Sequence, residues 1–157
     1  FSAISSDILA GVISFELPVL IESSKTNKAK ELYKKFKKGL KQHIVIVAIG
    51  IIILIKPILI WQNKESFEVY MPILLLLLTG AGFMNYSLAE HFKLYIYNRD
   101  KKIVKILVVT SIFNLCFSIV LTYWFGLYGA SIAFLITGLL MSFLRKREAG
   151  KIGFYDD

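Results

Sequence analysis

The sequence predicts an all-α, polytopic membrane protein, and three observations support this fold class. First, 56% of the 157 residues are hydrophobic and only 19% are charged, which is too little polar surface to cover a soluble domain. Second, long uncharged runs approach the length of about 20 residues that a helix needs to cross the hydrocarbon core. Third, 17 of the 19 Lys and Arg residues fall into three clusters between these runs, at 25–41, 93–105 and 145–151.

About five transmembrane helices are predicted from the lengths of the apolar runs. The first run is the weakest candidate, since it contains Asp7 and Glu16. The third run is uncharged as far as Ala89, and its helix is expected to continue to about Tyr97. The last two runs are joined by a tight turn around Gly126. The predicted spans are 1–21, 44–61, 70–97, 106–125 and 127–144.

The basic clusters predict the orientation of these spans, because Lys and Arg in short loops favour the cytoplasmic side. The connectors alternate between strongly basic and nearly uncharged segments along the chain. A first span that runs from outside to inside places every basic cluster in the cytoplasm. The linker 25–43 and the tail 145–157 are therefore predicted to be cytoplasmic.

The linker 25–43 reads as an amphipathic basic helix. Its apolar residues recur at intervals of three or four, which places them on one helical face. Lysines occupy the other faces and can extend toward lipid phosphates. We predict a membrane-surface role for four of them. The apolar residues are Ala29, Leu32, Tyr33, Phe36 and Leu40, and the surface lysines are Lys34, Lys35, Lys37 and Lys38.

Two interpretations of this linker stay open. It is either a topology anchor that keeps the loop in the cytoplasm or a surface that recruits the headgroup of a lipid-linked substrate. Membrane lipids are its expected partner in both cases. Nucleic acid is not an expected partner, because no stacking platform or folded recognition unit accompanies the charge.

The third predicted span has a polar stripe that grows more polar toward the cytoplasm. Thr79, Phe83, Tyr86, Glu90 and Lys93 follow one another at steps of four or three, and Tyr97 continues the series. A carboxylate within a span is costly and commonly marks a functional cavity. Glu90 therefore either forms an interfacial ion pair with Lys93 or lines a hydrated cavity.

The fourth predicted span has an uncharged polar stripe, and the fifth has a ridge of small residues. Hydroxyls in a span can bond to their own helix, so Asn114 is the better functional candidate of the stripe. We interpret Gly129, Ala133 and Thr137 as a packing surface for a close helix contact. The candidates for cavity-lining, substrate-binding residues are thus Tyr86, Glu90, Lys93 and Asn114.

Enzyme chemistry finds no support in the sequence. His43 and His91 are the only histidines, no Cys/His cluster is present, and no Gly-rich phosphate loop precedes a helix. The Gly80–Phe83 segment, GAGF, is too short for a dinucleotide fingerprint, and its glycines favour close helix contact instead. We therefore expect a non-enzymatic protein without a metal or cofactor.

The order of features resembles the C-terminal half of a bacterial polysaccharide flippase, of the O-antigen or teichoic-acid type, in the MATE-like superfamily. The matching pieces are the KAKELYKKFKKGLK linker, the YMPILLLLL start of a span, the NRDKK turn and the GLYGASIAFLITG opening of the final helix. Together they cover most of the chain. The resemblance implies the last five spans of a twelve-helix transporter with two six-helix lobes.

The resemblance also implies a function and a location. Such flippases move undecaprenyl-diphosphate-linked oligosaccharide across the bacterial cytoplasmic (inner) membrane by alternating access. Lys93 is then expected to meet the diphosphate, while Tyr86, Glu90 and Asn114 contact sugar or ions. The chain begins with Phe1 inside an apolar stretch, so we expect the C-terminal portion of a longer protein or a shortened version. An N-terminal lobe or partner chain would complete it.

Two alternatives remain at this point. One is a MATE-type cation or drug antiporter of the same architecture, in which Glu90 or Asp7 is the proton or sodium site. The other is a membrane subunit that does not transport, or a truncated remnant, which the missing first lobe would favour. Neighbouring glycosyltransferase genes would favour the flippase over the antiporter.

The predicted topology can be tested by labelling single cysteines in intact cells, after the chain's own Cys116 has been replaced by Ser. Cysteines placed at Ser66 and Leu127 should react with an impermeant thiol reagent from outside. A cysteine at Gln42 should react only after the cells are opened, because its loop is strongly basic. Labelling of Gln42→Cys from outside would overturn the assignment.

Overall fold

The computed structural model describes residues 29–62 and 65–152, and this part of the chain is helical almost throughout, without a strand. Four stretches in it are long and apolar enough to cross a membrane: Tyr33–Trp61, Glu68–Ile96, Asp100–Phe125 and Leu127–Gly150. The protein is thus an all-α, polytopic membrane protein, as predicted. The first predicted span, 1–21, lies outside the described residues.

Five α-helices and one short 3-10 helix make up the described bundle. The 3-10 helix, Glu65–Tyr70, leads directly into the second α-helix. Helix α5 packs against both α2 and α4 over most of its length. The helices are α1 Ala29–Trp61, α2 Met71–Tyr86, α3 Leu88–Ile96, α4 Asp100–Phe125 and α5 Leu127–Gly150.

Helix α1 joins the basic linker and the second predicted span into one element of 33 residues. At about 1.5 Å per residue it is roughly 50 Å long, which exceeds the hydrocarbon thickness of about 30 Å. The sequence predicts the linker 25–43 and the span 44–61 as separate segments. They form one helix because Leu40–Gly50 contains no proline to interrupt it, and the only proline inside α1 is Pro57, near its far end.

The third predicted span is divided at Ser87 into α2 and α3. Helical bonding persists across the junction, since the Ser87 N–H donates to the Phe83 carbonyl at 3.1 Å. The Ser87 hydroxyl donates to the Met84 carbonyl at 2.7 Å. Hydroxyls that bond back to their own helix often perturb its geometry. The two helices therefore form one membrane-spanning unit with a local irregularity at Ser87.

A continuous buried ridge on α5 holds the bundle together. The helix has a buried residue at every fourth position, and each step of four rotates the ridge by about 40° around the axis. Helix α5 contacts α4, α2 and α3. The prediction that the small residues of this helix form a packing surface is confirmed. The ridge consists of Gly129, Ala133, Thr137, Met141, Arg145 and Ala149.

A close helix crossing lies between α2 and α5, where two glycines face each other. A Cβ atom built on Gly138 would lie 2.5 Å from the carbonyl oxygen of Gly80. A Cβ on Gly80 would in turn lie 2.8 Å from the ring of Phe134. Small residues allow such approach where no hydrophobic effect drives helices together in lipid. Gly80, the first glycine of the GAGF segment, thus permits a close contact between helices, as predicted.

The N-terminal half of α1 packs onto α3 through its apolar face. Phe36 and Leu40 are buried against Ala89, and the ring of Phe92 meets that of Phe36 edge-on with centroids 6.1 Å apart. The sequence predicts that this face lies on the lipid surface. It packs on protein instead because α3 offers an apolar face of its own, which includes Leu88 and Ile96 alongside Ala89.

We expect Gly138→Ala to lower the melting temperature of the purified protein in detergent. Its methyl group must displace the Gly80 backbone, and such overpacking costs about 1–3 kcal/mol. The matched control is Gly50→Ala in α1, where no atom lies within 4 Å of the added Cβ. That change should leave the melting temperature equal or higher, because alanine favours a helix over glycine. Equal destabilisation by both changes would contradict the close crossing.

Candidate functional site

Charged side chains from three helices meet at the end of the bundle where α1 begins and α5 ends. We call this group the basic-end cluster. It comprises Lys37 from α1, Glu90 and Lys93 from α3, and Arg145 from α5. Glu90, Lys93 and Arg145 are 4%, 8% and 6% exposed. Burial of this much charge is unusual, since a buried ion is costly unless it is paired.

The direct partner of Glu90 is Lys37. The Lys37 Nζ donates to Glu90 Oε1 at 2.5 Å, and the lysine side chain is 28% exposed while that of the glutamate is 6% exposed. Two aromatic rings accompany the ammonium group, Tyr86 at 5.1 Å and Tyr33 at 6.0 Å from Nζ to the ring centroid. Aromatic faces at this distance attract cations. The pair thus ties α1 to α3 across 53 positions of sequence.

The second carboxylate oxygen of Glu90, Oε2, is buried without a hydrogen-bond partner in the described part of the chain. An unsatisfied buried acceptor costs about 1–3 kcal/mol, and more when it is charged. Lys93 and Arg145 lie close enough to act on Glu90 electrostatically. The Lys93 ammonium donates to the Ile152 carbonyl and the Arg145 guanidinium to the Ser87 hydroxyl, and neither of these hydrogen bonds satisfies this oxygen.

Lys93 is the predicted ion-pair partner of Glu90. In the structure, its ammonium group forms a hydrogen bond with a different residue. Its Nζ donates to the carbonyl oxygen of Ile152 at 2.7 Å. That expectation needs correction, because the structure pairs Glu90 with Lys37 of another helix. Lys93 instead joins α3 to the segment that follows α5. Lys37 and Lys93 thus come to the cluster from different helices, α1 and α3.

Arg145 is not among the residues predicted for this site, because the sequence predicts a cytoplasmic tail from position 145 onward. Helix α5 continues to Gly150, and the guanidinium Nη1 of Arg145 donates to the Ser87 hydroxyl at 2.8 Å. A signal was present in the sequence. Arg145 extends the four-residue series of Gly129, Ala133 and Thr137, so the same packing face predicts its burial.

The remaining predicted residues divide between the cluster and other places. Tyr86 is half-buried beneath Lys37 and belongs to the cluster. Asn114 does not, since its Oδ1 accepts a hydrogen bond from Thr137 at 3.1 Å between α4 and α5. Its role in the structure is an interhelical bond. Of the predicted surface lysines, Lys34, Lys35 and Lys38 are exposed.

The part of the polar stripe that precedes Tyr86 lies on the exposed surface of the bundle. Thr79 is exposed on the bundle surface, and its hydroxyl donates to the Leu75 carbonyl at 2.7 Å. Phe83 is 39% exposed. Of the stripe, Tyr86, Glu90 and Lys93 belong to the basic-end cluster.

A groove of about 370 Å³ runs between α1 and α2, and its polar end lies beside the cluster. It is lined by apolar side chains except for His43 and Asn85. Asn85 directly precedes Tyr86 in the sequence. In the described residues, no group of three or more His, Cys, Asp or Glu side chains is placed to hold a metal ion.

The Lys37–Glu90 pair can be tested by a double-mutant cycle on thermal stability. Lys37→Met should lower the melting temperature, because it leaves a buried carboxylate without its hydrogen-bonded cation, at a cost of about 1–3 kcal/mol. Lys37→Met combined with Glu90→Gln should be milder than Lys37→Met alone. Lys38→Met, at the exposed neighbour, is the matched control and should have no effect. Additive changes in the cycle would exclude a coupled pair.

No family model, curated protein or solved structure matches this chain. The function proposed below therefore rests on the basic-end cluster, the adjoining groove and the sequence resemblance given above.

Proposed function

We propose that this chain is part of a flippase for lipid-linked oligosaccharides in the bacterial cytoplasmic membrane. One observation supports this more than any other. The basic-end cluster brings three cationic side chains, Lys37, Lys93 and Arg145, to the end of the bundle where Glu90 is buried. Cationic side chains are therefore concentrated at one end of a membrane-spanning bundle, where a diphosphate headgroup can be attracted.

The composition of the cluster suits a diphosphate better than a neutral sugar. Arginine can contact phosphate oxygens through two parallel N–H groups, and lysine supplies a compact point charge. Glu90 holds Lys37 in place through their direct hydrogen bond. An arriving diphosphate can then replace the carboxylate as the partner of one or more cations.

The proposed transport mechanism is alternating access around the cluster. The headgroup requires a polar surface, while its polyprenyl chain requires an apolar one. The cluster and the groove lie side by side and offer both. Rocking of this bundle against a second lobe would carry the headgroup from one leaflet to the other. The second lobe is proposed to come from an N-terminal segment or a partner chain.

A second candidate, a cation or drug antiporter, is favoured by one feature of Glu90. Its Oε2 atom is buried and accepts no hydrogen bond in the described structure. A buried carboxylate oxygen of this kind is a typical proton or sodium acceptor within a membrane. The direct pairing of Glu90 with Lys37 weighs against it, because an incoming cation would have to displace the ammonium group first.

The flippase proposal predicts that Lys93→Ala impairs display of surface glycan in the source cell. The expected loss is about tenfold or more, since removal of one buried phosphate-binding cation corresponds to roughly 1.5–3 kcal/mol. Lys93→Arg should retain more activity because it keeps the charge. Lys101→Ala, an exposed lysine in the same basic segment, is the matched control. Glycan is measured at equal protein levels.

The outcomes separate the candidates. Normal glycan display by Lys93→Ala and Arg145→Gln at equal protein levels would contradict the flippase proposal. Loss of cation efflux in Glu90→Gln together with normal glycan display would favour the antiporter. Absence of any phenotype when the gene is deleted would favour the subunit that does not transport.

A further inference from the structure

A small pocket lies at the basic end of the bundle, where the turn between α3 and α4 meets the end of α5. Its volume of about 170 Å³ gives room for several water molecules. Three of its six lining residues are cationic and one is anionic, so positive charge predominates there. The lining residues are Leu94, Arg99, Lys102, Glu148, Lys151 and Ile152.

The turn between α3 and α4 brings two of the cations to the pocket. Asn98 has a φ of 53°, in the left-handed region that asparagine adopts more readily than most residues. The Arg99 N–H donates to a carbonyl oxygen of α3 at 2.9 Å, so the turn is tight. Arg99 and Lys102 are three residues apart at the start of α4, which places them on one face. Asp100 and Lys101, between them, do not line the pocket.

The opposite wall of the pocket comes from the end of α5 and the residues after it. Glu148 and Lys151 are also three residues apart, and they form an ion pair with each other. The carbonyl oxygen of Ile152 accepts a hydrogen bond from Lys93 at 2.7 Å, which joins this segment to α3. The charge of Lys151 is therefore offset by a carboxylate of its own segment.

Arg99 and Lys102 have no such counter-ion. Within residues 29–62 and 65–152, neither side chain forms an ion pair or a hydrogen bond. Both residues are exposed, so an anion can reach them without displacing a partner in this part of the chain. The N-terminus of α4 adds to the attraction, because no side chain caps it and its first N–H groups carry partial positive charge.

We propose that this pocket binds a phosphate group at the membrane surface, supplied either by the headgroup of an anionic lipid or by a soluble phosphate compound. Arg99 and Lys102 bind the phosphate oxygens, since guanidinium and ammonium groups form strong, charge-assisted hydrogen bonds with phosphate. Basic pockets between membrane helices on the cytoplasmic side are typical sites for lipid headgroups. The buried side chain of Leu94 gives the pocket an apolar wall.

The pocket is separate from the basic-end cluster and does not depend on the proposed transport function. None of its lining residues belongs to the cluster. Its two unpaired cations are exposed, whereas Glu90, Lys93 and Arg145 of the cluster are buried. A phosphate held between the start of α4 and the end of α5 should stabilise the folded bundle, because a ligand that binds only the folded state raises its melting temperature.

The test titrates the purified chain in detergent with two probes at constant ionic strength, phosphatidylglycerol and inorganic phosphate, and follows the melting temperature. We expect the melting temperature to rise with at least one probe. Arg99→Gln combined with Lys102→Gln should weaken this binding about tenfold or more, because two phosphate-binding cations are lost. The matched control is Lys101→Gln combined with Lys105→Gln, which removes the same charge from exposed positions of the same segment outside the pocket.

The two probes also identify the source of the phosphate. A rise with phosphatidylglycerol alone assigns the pocket to a lipid headgroup, while a rise with inorganic phosphate assigns it to a soluble compound. In both cases the site is supported only if the pocket variant loses the effect and the control keeps it. Equal weakening in both double variants would reveal diffuse attraction to a basic surface and overturn the pocket. No shift of the unaltered chain with either probe would overturn it as well.

Discussion

A buried carboxylate at the basic end of the bundle determines how the helices are arranged around it. Glu90 is 4% exposed and would be expensive to bury alone. Lys37 meets it from α1 at 2.5 Å, while Arg145 of α5 donates to the nearby Ser87 hydroxyl at 2.8 Å. These two contacts hold α1 and α5 in defined rotations against the segment that contains Ser87 and Glu90. The apolar packing of Phe36 against Ala89 supports the same arrangement.

Helix α1 is fastened mainly at this end. At its other end Lys56 lies 3.7 Å from Glu68 in an exposed ion pair, which contributes about 0–1 kcal/mol. Between the two ends runs the groove of about 370 Å³. A helix that is anchored at one end and loosely packed along its length can leave such a groove open. The groove thus follows from the place where α1 is fixed.

Much of the fold could be predicted from the sequence, because apolar length determines which segments can span a membrane. The predicted spans 44–61, 70–97, 106–125 and 127–144 each coincide with helical segments of the structure. The pairing of Lys37 with Glu90 could not be predicted, since it depends on how two helices far apart in sequence rotate against each other. Arg145 was within reach of sequence reasoning, because it continues the buried four-residue series of α5.

The most direct test of this account measures the contact between Lys37 and Glu90 in a lipid bilayer. Solid-state NMR can detect dipolar coupling between the ¹⁵Nζ of Lys37 and the ¹³Cδ of Glu90 in the full chain. Because Nζ lies 2.5 Å from Oε1, we expect strong coupling that disappears in Lys37→Met and is unchanged in Lys38→Met. Absence of coupling in the unaltered protein would contradict the account.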